Sequence, residues 1–328
     1  RYWCGGGYCY LGVGSDIDSE ITENLPDFVY EDGHSCIKTD GSVVEFCCKP
    51  DNNTIESIKI YNENIIKENN MSTILFNDIV FGPIKSRRLG NSLGVNLLPK
   101  FGKWCIFDCI YCECGWNKDG RNDTTLPSLA QVEEALTNKL HNLSSNAIAV
   151  DTITFSGNGE PTLHPDFPKI IDITLALRDK LYPSAKVSVL SNATQISNPA
   201  IVGALKKVDN PILKIDSPIE DMVNAIDRPN SAYSLTETIE NLKQFDGNFI
   251  LQTMFLKGNV DGVSIDCTND THCSKWQELV RELKPREVMM YTLDRETPAQ
   301  GLEKVTVEQM EAIAAPLVSE GFKIQIKG

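Results

Sequence analysis

The stretch KWCIFDCIYCECG, residues 103 to 115, puts four cysteines into ten positions beside Trp104, Phe107 and Tyr111. Cys105, Cys109 and Cys112 have the spacing C-x3-C-x2-C. Structural zinc commonly takes two separated pairs of ligands, and a redox dithiol needs only C-x-x-C, so neither accounts for this loop. Three thiolates can instead hold three irons of a four-iron, four-sulfur cluster, which ordinarily takes four cysteines; the remaining iron is then open to a small molecule. The whole chain has 11 cysteines. That odd number fits a disulfide framework poorly, and in a reducing compartment close spacing points to metal or catalysis.

Around the loop the chain alternates short β-branched runs with helical periodicity. SLGVNLL (92–98) reads as a strand, and Leu129, Val132, Leu136, Leu140 and Leu143 recur at helical spacing behind a capping box of Ser128 and Gln131. TITFS (152–156) precedes a helix around 166–180, and KVSVL (186–190) one around 198–207. PILKI (211–215) precedes a helix begun by Ser234 and Glu237, and FILQTMF (249–255) one near 274–283. EVMMYTL (287–293) leads to a helix capped by Thr306 and Gln309, and FKIQI (322–326) is a seventh strand. Six strand-helix units imply parallel strands joined by right-handed crossovers, in an open doubly wound sheet or in a barrel, complete or partial. Six units fall short of the eight of a complete barrel. The expected fold is therefore α/β, a partial (β/α)6 barrel of the TIM type, with its chemistry at the C-terminal strand ends.

Composition sets the bounds. The chain has 328 residues, 41% hydrophobic and 23% charged, close to ordinary globular usage. No run approaches the roughly 18 apolar residues of a membrane span, and the N-terminus lacks the layout of a signal peptide, so the expected setting is cytoplasmic, with no membrane contact. A net charge of −14 disfavours nucleic acid as a partner unless basic residues gather on one face. The polar stretch IIKENN before Met71 marks the expected boundary between an appendage, residues 1–70, and a core domain, residues 71–328. The appendage holds 5 basic and 13 acidic residues, and its short alternating segments read as strands. It could instead be a leader or a foreign piece joined ahead of Met71.

Three motifs in this order resemble the radical S-adenosylmethionine (SAM) superfamily. CIFDCIYC looks like that superfamily's cluster signature; SGNGEPTLHP (156–165), after the second strand, resembles its Gly-Gly-Glu loop with Asn158 in place of one glycine; LSNAT (190–194), after the third, resembles the segment that meets SAM. SRRLGNSLGV (86–95) and YCECG (111–115) look like the group related to the wyosine-type tRNA-modifying enzymes. Those enzymes carry a second cysteine set ahead of the barrel, which has no equivalent between Met71 and Cys105.

The resemblance implies that Cys105, Cys109 and Cys112 ligate one 4Fe-4S cluster and that Tyr111 lies against the adenine of SAM. Gly157 and Gly159 would let backbone approach the methionyl end, with Asn158 between them also at the SAM site, Glu160 would accept from the SAM ammonium, and Ser191 and Asn192 would bond its ribose or carboxylate. The implied chemistry is one-electron cleavage of SAM to a 5′-deoxyadenosyl radical that removes hydrogen from a substrate, with a flavodoxin or ferredoxin as reducing partner. Arg87, Arg88, Lys214, Asp216, Gln252 and Tyr291 are candidate substrate or SAM contacts, each equally open to an ion pair or a packing role.

Blander readings stand beside these. Glu160 can cap the next helix, and His164 is expected to be a loop hydrogen-bonder rather than a base. Cys114 is expected to be an inert thiol, Cys267 and Cys273 exposed loop thiols, and Met254 a core residue. Cys4 and Cys9 with Cys47 and Cys48 show no recognised metal spacing. Two other functions fit the same residues: an electron-transfer or iron-sensing protein with Cys114 as a fourth ligand, which does not cleave SAM, and an activase that makes a glycyl radical on a partner.

Overall fold

A computed structural model describes residues 74–86, 89–120 and 123–328, together with the backbone of short strands within residues 1–70. The chain divides into two units, Arg1–Asn70 and Met71–Gly328. In the first, Val29–Tyr30, Ser35–Ile37, Val43–Cys48 and Ile55–Tyr61 form an antiparallel sheet, and Tyr2–Gly5 pairs with Tyr8–Leu11. The side chains of Cys4, Cys9, Cys47 and Cys48, and all of Arg87 and Arg88, lie outside the described residues.

The second unit is built on one eight-stranded sheet. Its strands in chain order are β1 (Val80–Ser86), β2 (Gly90–Val95), β3 (Thr152–Phe155), β4 (Lys186–Ser191), β5 (Asn210–Lys214) and β6 (Ile250–Met254). β7 (Leu256–Val260) and β8 (Val263–Asp266) leave the sheet, which resumes with β9 (Glu287–Tyr291) and, after β10 (Leu302–Lys304), ends with β11 (Ile324–Lys327). The spatial order is β11-β9-β6-β5-β4-β3-β2-β1, parallel throughout except for the antiparallel pair β1 and β2. This is the curled partial barrel that the strand-helix rhythm implies.

The helices are α1 (Leu129–Ser145), α2 (Phe167–Leu181), α3 (Pro199–Lys207), α4 (Glu220–Ile226), α5 (Leu235–Leu242), α6 (Asp270–Leu283) and α7 (Val307–Ser319). Ser128 with Gln131 and Thr306 with Gln309 form reciprocal capping boxes, each satisfying two amides that a helix start leaves unpaired.

Strand alternation sorts the core into two faces. Leu213, Leu251 and Val288 are fully buried in the main cluster under the helices. Their neighbours Ile212, Ile250 and Met289 form a separate cluster with Leu89 and Leu190. Each such side chain contributes roughly 1.5–3 kcal/mol on burial. Two residues beyond Ile212 and Ile250, on the same face, stand Lys214 and Gln252, directly paired in register. The period that builds the inner wall thus carries a charged and an amide group to its C-terminal rim.

Some of the architecture departs from the sequence reading. β8, β7 and β10 make a three-stranded antiparallel sheet, and α4 is an extra helix between β5 and α5. α6 begins at Asp270, capped by Asn269, four residues ahead of the expected start. Cys267 is completely buried and Cys273 half-buried in the first turn of α6. The expectation of two exposed loop thiols is therefore corrected: Cys267, in the turn between β8 and α6, belongs to the main core, and the early helix start places Cys273 in the first turn of α6.

Candidate functional site

The cysteine loop leaves β2 and pairs with the loop after β3. The Trp104 amide donates to the Asn158 carbonyl (2.8 Å), and the Glu160 amide donates to the Trp104 carbonyl (3.1 Å). This contact demands glycine at position 159, whose φ is +136° and where a β-carbon would stand 1.9 Å from the Trp104 oxygen. At Gly157, φ is +131° and a β-carbon would meet the Asn96 side-chain oxygen at 2.6 Å. The glycines are thus needed for the meeting of two protein segments, a requirement separate from ligand approach.

Asn158 is set apart from them. Its side chain is fully buried, donating to the carbonyls of Phe76 (2.9 Å) and Pro99 (2.7 Å) and accepting from the Phe76 amide (2.8 Å). It turns away from the cysteines and ties down the segment that leads to them.

The cysteine loop is also braced from within. Asn117 accepts from the Cys105 amide (3.1 Å) and donates to the Phe107 carbonyl (3.1 Å). Asp108 accepts from the Asn117 amide (2.8 Å) and from Lys103 Nζ (3.3 Å), and Lys103 also donates to the Gly115 carbonyl (3.1 Å). The amides of Asp108 and Ile110 bond the carbonyls of Asp227 and Ile226 at the end of α4 (2.8 and 2.9 Å). Lys103, Asp108, Asn117 and Asp227 escaped sequence reading because no periodicity marks them.

Cys105, Cys109, Cys112 and Cys114 open on one cavity of about 220 Å³. Gly157, Gly159 and Glu160 form one wall, Ser191 and Asn192 a second, and Lys214, Gln252 and Tyr291 a third. The C-terminal ends of six neighbouring parallel strands, β2, β3, β4, β5, β6 and β9, thus bring together residues up to 186 positions apart in the chain, from Cys105 to Tyr291. Among the described residues no three Cys, His, Asp or Glu side chains converge on the position of a single metal ion. A cluster in which each thiolate takes its own iron asks for no such convergence.

Glu160 performs two tasks. Its Oε1 accepts from the Thr162 amide (3.1 Å), so that it caps the short 3-10 turn Pro161–Leu163, and from the Ser191 hydroxyl (2.9 Å). Its Oε2 accepts from the Asn192 amide (2.7 Å). Burial pushes the Glu160 carboxyl above its usual range against these donors. The Asn192 side chain donates to Cys105 Sγ at 3.4 Å.

Across the cavity Lys214 donates to Asp227 (2.6 Å), Asp216 (2.8 Å) and the Tyr111 hydroxyl (2.8 Å), and lies 3.5 Å from Cys109 Sγ. Asp227 also accepts from Cys109 Sγ at 3.1 Å, while Tyr111 bonds Asp216. Asp216 lies behind the wall and accepts from the Met254 amide (3.1 Å). Burial, partly offset by Lys214, raises Asp227 to about 7. Met254 is buried in the main core, and it also lines a second cavity of about 220 Å³ that shares Tyr111, Cys112 and Tyr291 with the first.

The thiols differ with their surroundings. Burial drives Cys105 up to about 12, whereas a hydrogen bond from Cys114 and the charge of Lys103 bring Cys112 down to about 6 against burial. Cys114 donates to the Gly157 carbonyl at 3.3 Å. His164 is spent on the loop, bonding the Pro127 carbonyl (2.8 Å) and the Asp166 amide (3.1 Å).

A sequence model of the radical SAM superfamily matches residues 100–262. A UPF0026 protein of Methanocaldococcus jannaschii is 30% identical over 246 residues, covering 72% of this chain and 70% of that protein. A protein of Brachyspira hyodysenteriae named GTPase Obg is 28% identical over 256 residues, 75% of this chain but 34% of that protein, so the chain spans about a third of this relative's length. The crystal structure of a radical SAM methyltransferase from Sphaerobacter thermophilus superposes with a TM-score of 0.52 at 14% identity, covering 94% of this chain and 80% of that one. At that identity the likeness is one of fold.

Proposed function

The chain belongs to the radical SAM superfamily, whose cofactors are a 4Fe-4S cluster and SAM, and from that premise we propose that it cleaves SAM reductively and abstracts hydrogen from a substrate. Cys105, Cys109 and Cys112 would hold three irons and leave the fourth to SAM. When bound, the two groups supply one-electron cleavage of the sulfonium and a 5′-deoxyadenosyl radical. One observation carries the reading: three cysteine sulfurs open on the same cavity as Gly157, Glu160, Ser191 and Asn192.

The chain's own residues have definite work in this scheme. Glu160 Oε2, with one protein donor, retains acceptor capacity for the SAM ammonium. Tyr111 lines the cavity while Asp216 and Lys214 hold its hydroxyl, which would fix the ring for contact with the adenine. Gln252 and Tyr291 close the wall, and Tyr291 also borders the second cavity, where the substrate would lie within reach of the radical. Walls that kept other C–H and S–H donors out of that space would protect such a radical.

The electron would come from a reductant of the flavodoxin or ferredoxin class. The reaction would be an oxidoreductase or transferase step. Among the described residues no helix is long and apolar enough to cross a membrane.

A second reading rests on Cys114, which lines the same cavity. As a fourth ligand it would close the cluster and make the protein an electron carrier. The test is anaerobic reconstitution with iron and sulfide, followed by dithionite and SAM. Release of 5′-deoxyadenosine is expected; a brown, reducible protein that releases none would favour the carrier.

A further inference from the structure

We propose that Lys103 is a positioning residue for the cluster: its buried ammonium is the counter-charge of the three cysteine thiolates and raises the potential at which the cluster takes up an electron. The proposal rests on the reading of Cys105, Cys109 and Cys112 as ligands.

The Lys103 side chain is 1% exposed and lines the cavity shared by the three cysteines. A buried charge is costly unless it is paired and hydrogen-bonded. Its polar partners within the loop are modest: the neutral Gly115 carbonyl at 3.1 Å and Asp108 at 3.3 Å. Asp108 is 27% exposed and divides its Oδ1 between Lys103 and the Asn117 amide, so water and a second donor weaken its hold. The three cysteines that line the same cavity, as thiolates, would supply the remaining compensation.

Lys214 differs in its surroundings. It also approaches a thiol, but it lies between Asp227 at 2.6 Å and Asp216 at 2.8 Å, both at most 2% exposed. Two buried carboxylates outnumber one ammonium, so that group brings no surplus positive charge to the sulfurs. Lys103 does. A fixed cation beside the cluster favours whichever state carries one more electron, and the reduced state is that one when a low-potential donor such as dithionite supplies it.

The test is an EPR-monitored potentiometric titration of the anaerobically reconstituted full chain as wild type, Lys103→Met and Lys103→Arg, with iron content and circular dichroism of each. With wild-type iron content, Lys103→Met is expected to lower the ratio of reduced to oxidised cluster at least tenfold at fixed potential, a negative midpoint shift of about 59 mV for one electron. Lys103→Arg is expected to restore the midpoint. An unchanged midpoint in Lys103→Met, or a Lys103→Arg protein that behaves like it, overturns the proposal. If folded Lys103→Met binds no iron, uptake by Lys103→Arg supports the charge role, and failure of both assigns Lys103 to packing. A wild-type chain that binds no iron removes the ligand assignment itself and the proposal with it, a result distinct from any variant effect.

Discussion

The carbonyl oxygen of Trp104 lies 1.9 Å from the place a β-carbon on Gly159 would occupy. The obstacle is backbone, fixed by hydrogen bonds on both sides, so no side chain can swing aside to make room. Gly159→Ala combines that clash with a residue at φ +136° and is expected to cost about 3 kcal/mol or more. Because the pairing holds the cysteine loop, iron bound per chain after anaerobic reconstitution should fall severalfold along with the melting temperature. Wild-type iron content in this variant would show that the two loops are independent.

Cys105, Cys109 and Cys112 are expected to differ sharply from Cys114 on substitution by alanine. Removing any of the first three should abolish the cluster's visible absorption, because each leaves an iron without its ligand. Cys114→Ala should keep both the colour and the release of 5′-deoxyadenosine. Loss of the chromophore in Cys114→Ala would establish a fourth cysteine ligand and the electron-carrier reading.

Glu160 accepts from Thr162, Ser191 and Asn192 while fully enclosed. Glu160→Ala strands those donors and is expected to destabilise the chain by about 2–3 kcal/mol. Glu160→Gln keeps the Oε1 contacts but sets an amide NH2 against the Asn192 N–H. It should fold with a smaller loss and bind SAM at least tenfold more weakly, as calorimetry on the cluster-loaded protein would read. Undiminished SAM affinity in Glu160→Gln would confine Glu160 to capping.

His272, at the start of α6, is completely buried, and among the described residues neither ring nitrogen meets a hydrogen-bond partner of good geometry. Burial lowers it to about 4 from an ordinary 6.5. The unfolded chain therefore binds the proton more readily than the folded one between those values, and stability falls as the pH drops from about 6.5 towards 4. The shift corresponds to a loss on the order of 3 kcal/mol. His272→Leu should remove this component while leaving stability at pH 7 unchanged or higher, since an unpaired buried polar group disappears. Urea unfolding of both proteins at pH 5 and pH 7 checks it; equal slopes with pH would exclude His272 as the group.

How much of this was legible depended on the range of each signal. The capping boxes at Ser128 and Thr306 were readable because donor and acceptor lie within three residues of each other. The three motifs were readable because each sits at the end of its own strand. The antiparallel layer was missed although a hairpin signal was present: Asp261 and Gly262 both have positive φ (53° and 81°) between Val260 and Val263, the turn that an Asp-Gly pair favours. Lys103, Asp108 and Asp227 could not be found in this way. Their roles depend on which loop meets which helix, and that is settled by the packed barrel.

The sheet that carries the site has β1 at one margin and β11 at the other, with no ladder between them. A closed cylinder has a circumference set by its strand number and stagger; this wall is a trough with a seam, and its girth is not fixed. The cysteine loop leaves β2, one strand in from that seam, so its position depends on its bonds to the loop after β3 and to the end of α4 rather than on a closed ring of strands.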